Sequence, residues 1–372
     1  MTAPGRPRAF VHVGLPKTGT SYLQSVAWAN LDELRAQGLV VVPDPTDLPS
    51  KAQASTQVML ALRDRLVAGH DPHTAAEVLD RFEAEVATAG ESDVLLTQEQ
   101  LAGCTRAQVE ALFGRLGDRE VHVVVTARAV SRQVPSAWQE RVKTRSTTPY
   151  AEFVAAARDR AAPSRGFWRN QDLPAVLDRW GRSLPAEHVH VVTVPTRRDA
   201  TDGLDARYFG VLGVDHTRLL AEQTRSNSSL GAVQAELLRR VNVALGDRLP
   251  KPRLGYARVA KWFLTERFLV PQAGRPPLLP PSAQRWCGEV AEEWVAAVRE
   301  VGYDVAGDLD DLLPDPAHFE RGPAEPDDAE LVDAATQALA DLLVFRHEEL
   351  GRIEQLHARI AELEEQAARR QD

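Results

Sequence analysis

The sequence predicts an α/β fold: a parallel β-sheet flanked by helices, with a long C-terminal helical tail. Three observations carry this. Short apolar runs recur at Phe10–Val13, Leu39–Val42, Val94–Thr97, Val121–Thr126 and Val189–Val194. Between them lie amphipathic stretches of helical period, and strands alternating with helices imply βαβ units. From Asp327 onward the pattern is that of one long helix.

The first run feeds a tight loop, Gly14-Leu15-Pro16-Lys17-Thr18-Gly19. Thr20 and Ser21 suit the N-cap or first turn of a helix through Tyr22, Leu23, Val26 and Trp28. A strand, a glycine loop and a helix N-terminus together hold an anion. The loop amides point inward, and the helix dipole places about half a positive charge there. Lys17 adds a full charge, and Thr18, Thr20 and Ser21 add hydroxyl donors. A nucleoside-triphosphate loop, G-x-x-x-x-G-K-[ST], carries its lysine after the second glycine. Gly14 and Gly19 keep that spacing, but Thr20 stands where the lysine should be. The lysine sits inside the loop, at Lys17.

In this the stretch resembles the 5′-phosphosulfate loop of sulfotransferases that use 3′-phosphoadenosine 5′-phosphosulfate (PAPS). The core of that loop reads P-K-[ST]-G-T, and Pro16-Lys17-Thr18-Gly19-Thr20 matches every position. The resemblance implies a P-loop-type sheet, PAPS as co-substrate and no metal. Gly14, Pro16, Lys17, Thr18, Gly19, Thr20 and Ser21 are then the 5′-phosphate cradle. Lys17 is expected on the bridging oxygen of the leaving phosphate. The reaction implied moves a sulfuryl group in line to a hydroxyl or amine acceptor. Positioning and charge stabilisation supply most of such catalysis.

The second motif follows the strand Val121–Thr126. Arg128 lies just past its end and Ser136 eight residues on, in a helix expected over Val130–Lys143. This resembles the 3′-phosphate site of the same family. A guanidinium fork grips a phosphate dianion bidentately, and a hydroxyl completes its shell. A late loop, Thr224–Leu230, offers Arg225 as a further donor to the nucleotide, although Asn227 to Ser229 read equally well as N-capping residues.

A hydroxyl acceptor needs a base. Val94–Thr97 ends in Thr97-Gln98-Glu99, and ligands of open α/β sheets sit at that end. Glu99 is the first choice; complementing a helix dipole is its alternative role. His12, in the strand that feeds the loop, is the second choice or a satisfied core residue.

Other helices are expected over Gln57–Val67, Thr74–Ala89, Tyr150–Arg160, Asp172–Leu184, Leu204–Leu212 and Ser282–Val301. Arg248–Arg267 is a basic run with Trp262 and Phe263 interleaved: a solvated helix face, or the border of an acceptor pocket. Prolines 314, 316, 323 and 326 mark a linker. The expected domains are therefore 1–320, the α/β body, and 321–372, an acidic linker and long helix. Ile353, Leu356, Ile360, Leu363 and Ala367 form a heptad seam of about two heptads, through which the tail can pair into a homodimer.

The net charge of −9 is uneven. Residues 321–372 hold thirteen acidic residues and six arginines, a balance of −7, which leaves only −2 for the body. The acidity does not oppose an anionic ligand, and the body lacks the basic excess of a nucleic-acid binder. No apolar run approaches the ~18 residues of a membrane span. The start, MTAPGRPRAF, lacks a signal-peptide core. Cys104 and Cys287 fit no metal or redox spacing, so a reduced, cytoplasmic protein is expected.

Two rivals remain. A P-loop kinase needs an aspartate ending an inner strand to hold Mg²⁺, and none of the apolar runs ends so. A non-catalytic nucleotide-binding or scaffold protein on the same fold is the other. The acceptor is a small molecule, lipid or carbohydrate that the sequence does not specify.

Overall fold

The structure is a computed structural model. It describes the chain apart from residues 1–4, 48–50, 68–70, 72, 163, 197–201, 221–228, 250–254, 273, 320–325 and 369–372. Six strands form one sheet: β1 Arg8–His12, β2 Leu39–Val41, β3 Asp93–Thr97, β4 Glu120–Ala127, β5 Val189–Thr193 and β6 Asp304–Ala306. Their order is β2-β3-β1-β4-β5-β6, and every pairing is parallel. Parallel strands with helices on their faces are buried on both sides, which is why these runs are continuously apolar rather than alternating.

Thirteen α-helices fall among the described residues. They are α1 Thr20–Ala29, α2 Leu31–Ala36, α3 Lys51–Leu62, α4 Ala75–Thr88, α5 Arg106–Phe113, α6 Val130–Lys143 and α7 Tyr150–Arg158. Then follow α8 Arg165–Gln171, α9 Leu173–Gly181, α10 Leu204–Val211, α11 Ala232–Leu245, α12 Gln284–Val301 and α13 Asp328–Ala368. The local reasons are plain in several. Thr74 and Thr105 start α4 and α5 with reciprocal capping boxes to Glu77 and Gln108. Gly302, at φ 78°, closes α12 in the left-handed conformation that favours glycine. Ala257–Leu269, inside the basic run, is a π-helix.

The five expected strands are all present. β6 was not expected as a strand: at three residues it is too short to show a period. α2, α5 and α8 were also unexpected. The helix expected near Gln57–Val67 begins earlier and ends at Leu62. The helical tail is present over 41 residues, α13.

The chain divides into two compact units. The first holds residues 1–137, 151–227 and 278–322, including the whole sheet. Its core joins Phe10, Leu95, Val124 and Val192 of the strands to Leu23, Val26 and Ala27 of α1 and Tyr208, Phe209 and Leu212 around α10. The second unit holds 138–150, 228–277 and 323–372. There Tyr256 donates to Asn242 Oδ1 of α11 at 2.5 Å, and Lys143 pairs with Glu266 at 3.1 Å. Leu331, Ala334 and Ala338 of α13 are buried.

Candidate functional site

The loop between β1 and α1 lies at the carboxyl end of the central strands. Its backbone is forced through three left-handed residues: Gly14 at φ 53°, Lys17 at 72° and Gly19 at 92°. Two are glycines, which adopt this region freely, and one is a lysine, which does not. What holds Lys17 there is a set of outside donors. Leu15 O accepts from the Thr18 hydroxyl at 2.5 Å, Pro16 O from Gln171 Nε2 at 2.7 Å, and Lys17 O from Arg128 Nη1 at 3.2 Å. Three successive carbonyls are thereby turned outward. Leu15 N–H is anchored on Thr126 O at 2.9 Å.

Helix α1 then starts with Gly19 as its N-cap, and glycine brings no capping side chain. Tyr22 N–H turns back to Gly19 O at 3.0 Å, which leaves the amides of Thr20 and Ser21 to an outside acceptor. No acidic residue lies in that turn. Thr20 Oγ1 is buried without a hydrogen-bond partner among the described residues, and so is Arg128 Nε. Both atoms lie beside the loop and keep a hydrogen bond to give.

Glu99 joins this group. A Cβ placed on Gly14 would meet Thr20 Oγ1 at 2.8 Å, Glu99 Cβ at 3.4 Å and Thr126 Oγ1 at 3.4 Å. Gly14 is therefore needed both for its φ and for its close approach. Glu99 is half-buried and opens the 3₁₀ turn Glu99–Gly103 directly after β3. The turn is followed by an open pocket of about 390 Å³ lined by Cys104, Thr105, Arg106, Arg169, Ala175, Asp178 and Arg179, in which Arg106 pairs with Asp178 at 2.5 Å. Arg169 Nε donates to Gly103 O at 3.0 Å and Arg179 Nη1 to Ala102 O at 2.6 Å.

His12 lies under the loop, fully buried. Nδ1 is 2.9 Å from Thr97 Oγ1 and Nε2 3.3 Å from Thr126 Oγ1, and its ring packs on Tyr208 at 4.7 Å. Burial pushes its pKa down to about 3, so the ring is neutral at physiological pH. Both nitrogens are engaged with the scaffold, and neither faces open space.

Arg128 is largely buried. That burial first, and the neighbouring Arg132 charge second, push it down to about 9, so a bound anion would relieve both. Ser136 is half-buried on α6. One turn earlier on the same face, Gln133 is wholly buried, with neither amide atom hydrogen-bonded among the described residues. Arg225 lies outside the described residues.

Residues not anticipated from the sequence complete the site. Thr126 and Thr97 tie His12 to the loop, and Gln24 Nε2 of α1 donates to Thr97 O at 3.0 Å. Gln171 comes from α8. His318 comes from near the end of the first unit. Its Nδ1 accepts from Asp315 N–H at 3.2 Å and lies 2.8 Å from Ser131 Oγ. Burial, then the charge of Arg132, with Arg128 adding to it, push the His318 ring down to about 4. A threonine ending an apolar run was the one local signal available, at Thr97 and Thr126. Nothing local marks Gln171 or His318.

Among the described residues, no helix is long and apolar enough to cross a membrane. Comparison with family models, curated proteins and solved structures found no match.

Proposed function

We propose that the chain is a PAPS-dependent sulfotransferase. The observation that carries the reading is the placement of Lys17. It stands inside the loop, at a left-handed residue whose carbonyl Arg128 holds, and not after the second glycine. In this reading the lysine serves the bridging oxygen of a phosphosulfate held between the loop amides and the arginine.

The roles follow. The amides of the α1 first turn, with the hydroxyls of Thr20 and Ser21, take the 5′-phosphate. Arg128 takes the 3′-phosphate, with Ser136 and the unpaired amide of Gln133 on the following helix completing its shell. Lys17 balances the charge that grows as the sulfuryl group leaves. Glu99 removes the proton of a hydroxyl acceptor. His12 is assigned to bracing the loop, because both its nitrogens are taken and its basicity is low. The pocket after the Glu99 turn, lined by three arginines and Asp178, is taken as the acceptor side, and anionic acceptors are the first to try.

The test uses the full chain. Adenosine 3′,5′-bisphosphate should raise Tm without magnesium, and ATP should not. Labelled PAPS offered with a panel of anionic hydroxyl acceptors should yield a sulfated product. Glu99→Gln should then lose roughly 100-fold or more in turnover, with bisphosphate binding kept. Stabilisation by ATP that depends on magnesium would favour a kinase. Bisphosphate binding with no transfer to any acceptor would favour a nucleotide-binding protein without catalysis.

A further inference from the structure

At the opposite, amino-terminal end of the sheet, two carboxylates and three histidines gather within the first unit. Glu120 and His122 stand at the start of β4, His188 ends the 3₁₀ turn Ala186–His188, His190 lies in β5, and Asp304 begins β6. Glu120 Oε1 is 2.9 Å from His122 Nε2 and 3.8 Å from His188 Nε2. His122 Nδ1 is 2.9 Å from His190 Nε2, and His190 Nδ1 is 2.6 Å from Asp304 Oδ2. The rings of His122 and His188 stack at 4.4 Å.

The chain Glu120, His122, His190, Asp304 has three polar contacts. Each needs one cation or proton between its two lone pairs. Two neutral imidazoles bring only two protons, and ionised carboxylates bring none. If His190 donates to Asp304 and His122 donates to His190, then His122 Nε2 turns a bare lone pair toward a carboxylate oxygen. A further proton or a metal cation would complete that contact. His188 Nε2 converges on that same oxygen, which a single proton shared between Glu120 and His122 would not require.

We propose that Glu120, His122 and His188 form a site for a divalent transition metal ion, with Zn²⁺ as the best match. Neutral imidazole and carboxylate are the ligand types this metal takes. The ligand atoms all lie within 4.8 Å of one another. Around a tetrahedral zinc with bonds of about 2.0–2.1 Å, ligand atoms sit roughly 3.3 Å apart; the two separations from Glu120, 2.9 and 3.8 Å, bracket this, and the third lies within 4.8 Å. His190 and Asp304 supply the outer support such sites use. His190 fixes the His122 tautomer by accepting from Nδ1–H, and Asp304 fixes His190 in turn. A water would take the fourth position. The metal would clip β4 to the turn that enters β5, remote from the loop chemistry.

The experiment is a Zn²⁺ titration of the metal-free full chain, read by calorimetry and by Tm. One equivalent per chain with a rise in Tm is the expected result. His188 is only half-buried, so His188→Ala should stay folded and lose that equivalent. Asp304→Asn, which touches no ligand atom of the site, should weaken Zn²⁺ binding by about 10–100-fold. Denaturant unfolding of each variant in chelator separates lost metal from lost fold. No uptake by the wild-type chain, or an equivalent that survives His188→Ala and Glu120→Gln, would overturn the site. Neither outcome touches the nucleotide reading.

Discussion

The hydroxyls of Thr18 and Thr126 lie 2.6 Å apart, and that contact sets the direction of every proton between loop and sheet. Thr18 must donate to the Leu15 carbonyl, which can only accept. Thr126 must therefore donate to Thr18. His12 Nε2 then carries the ring proton and donates to Thr126, and Thr97 donates to His12 Nδ1. One tautomer satisfies the whole chain, from β3 through β1 and β4 to the loop.

Thr126→Val removes the link at its centre while keeping volume. It leaves Thr18 and His12 each short of one partner in a buried place, which costs about 1–3 kcal/mol of stability. Bisphosphate affinity should fall by about tenfold as the loop loosens, while Thr126→Ser retains both. Urea unfolding and calorimetry on the three proteins measure this. A valine variant that binds as well as wild type would show that the chain does not shape the loop.

The neutral state of His12 gives stability a definite pH dependence. In the unfolded chain the ring titrates near 6.5; in the folded one, near 3. Between those values the unfolded state binds more protons, so stability falls as pH falls through the window. His318, near 4, acts in the same direction. At about 1.4 kcal/mol per pH unit, His12 alone removes on the order of 2–3 kcal/mol between pH 6.5 and 4.5. Denaturant midpoints at pH 7.5 and 4.5 test it. His12→Gln should flatten the difference, and a variant that shows the full drop would point to other groups.

Arg128 should be needed as an arginine. Arg128→Lys keeps charge but loses the fork and the bond to Lys17 O, so bisphosphate should bind at least tenfold more weakly. Adenosine 5′-monophosphate, lacking the 3′-phosphate, should show no such loss in parallel titrations.

The tail should divide into two stretches of different use. Leu331, Ala334 and Ala338 are buried, Gln272 donates to Ala334 O at 3.0 Å, and Phe345 packs edge-on against Phe263 at 5.2 Å. Ile353, Leu356, Ile360 and Leu363 are exposed. Deleting 351–372 should leave Tm within a few degrees, because surface changes are worth within about 0.5 kcal/mol each. Deleting from 328 should lower it far more, by stripping the second unit of core. If the exposed seam pairs copies, sedimentation will show a dimer only for the full chain. Monomers in both would end that reading.

How far each feature could be read depends on the range of the forces behind it. The apolar runs of β1 to β5 and the glycine-lysine-threonine loop are local patterns, because strand burial and left-handed turns are set by adjacent residues. Arg128 could be placed for the same reason: it follows a strand whose end is visible. The short β6 has no period to read, and its pairing with β5 comes from the sheet.

The sequence by itself determined the strands β1 to β5, the loop with its displaced lysine, and the helical tail. Tertiary structure alone decided that Gln171 and Arg128 hold the loop carbonyls, that His318 meets Ser131, and that His188 meets Glu120 and His122. Those contacts link residues many tens of positions apart. Hydrogen bonds and charges act over a few ångströms of space, and only the parallel order of the strands brings such residues within reach.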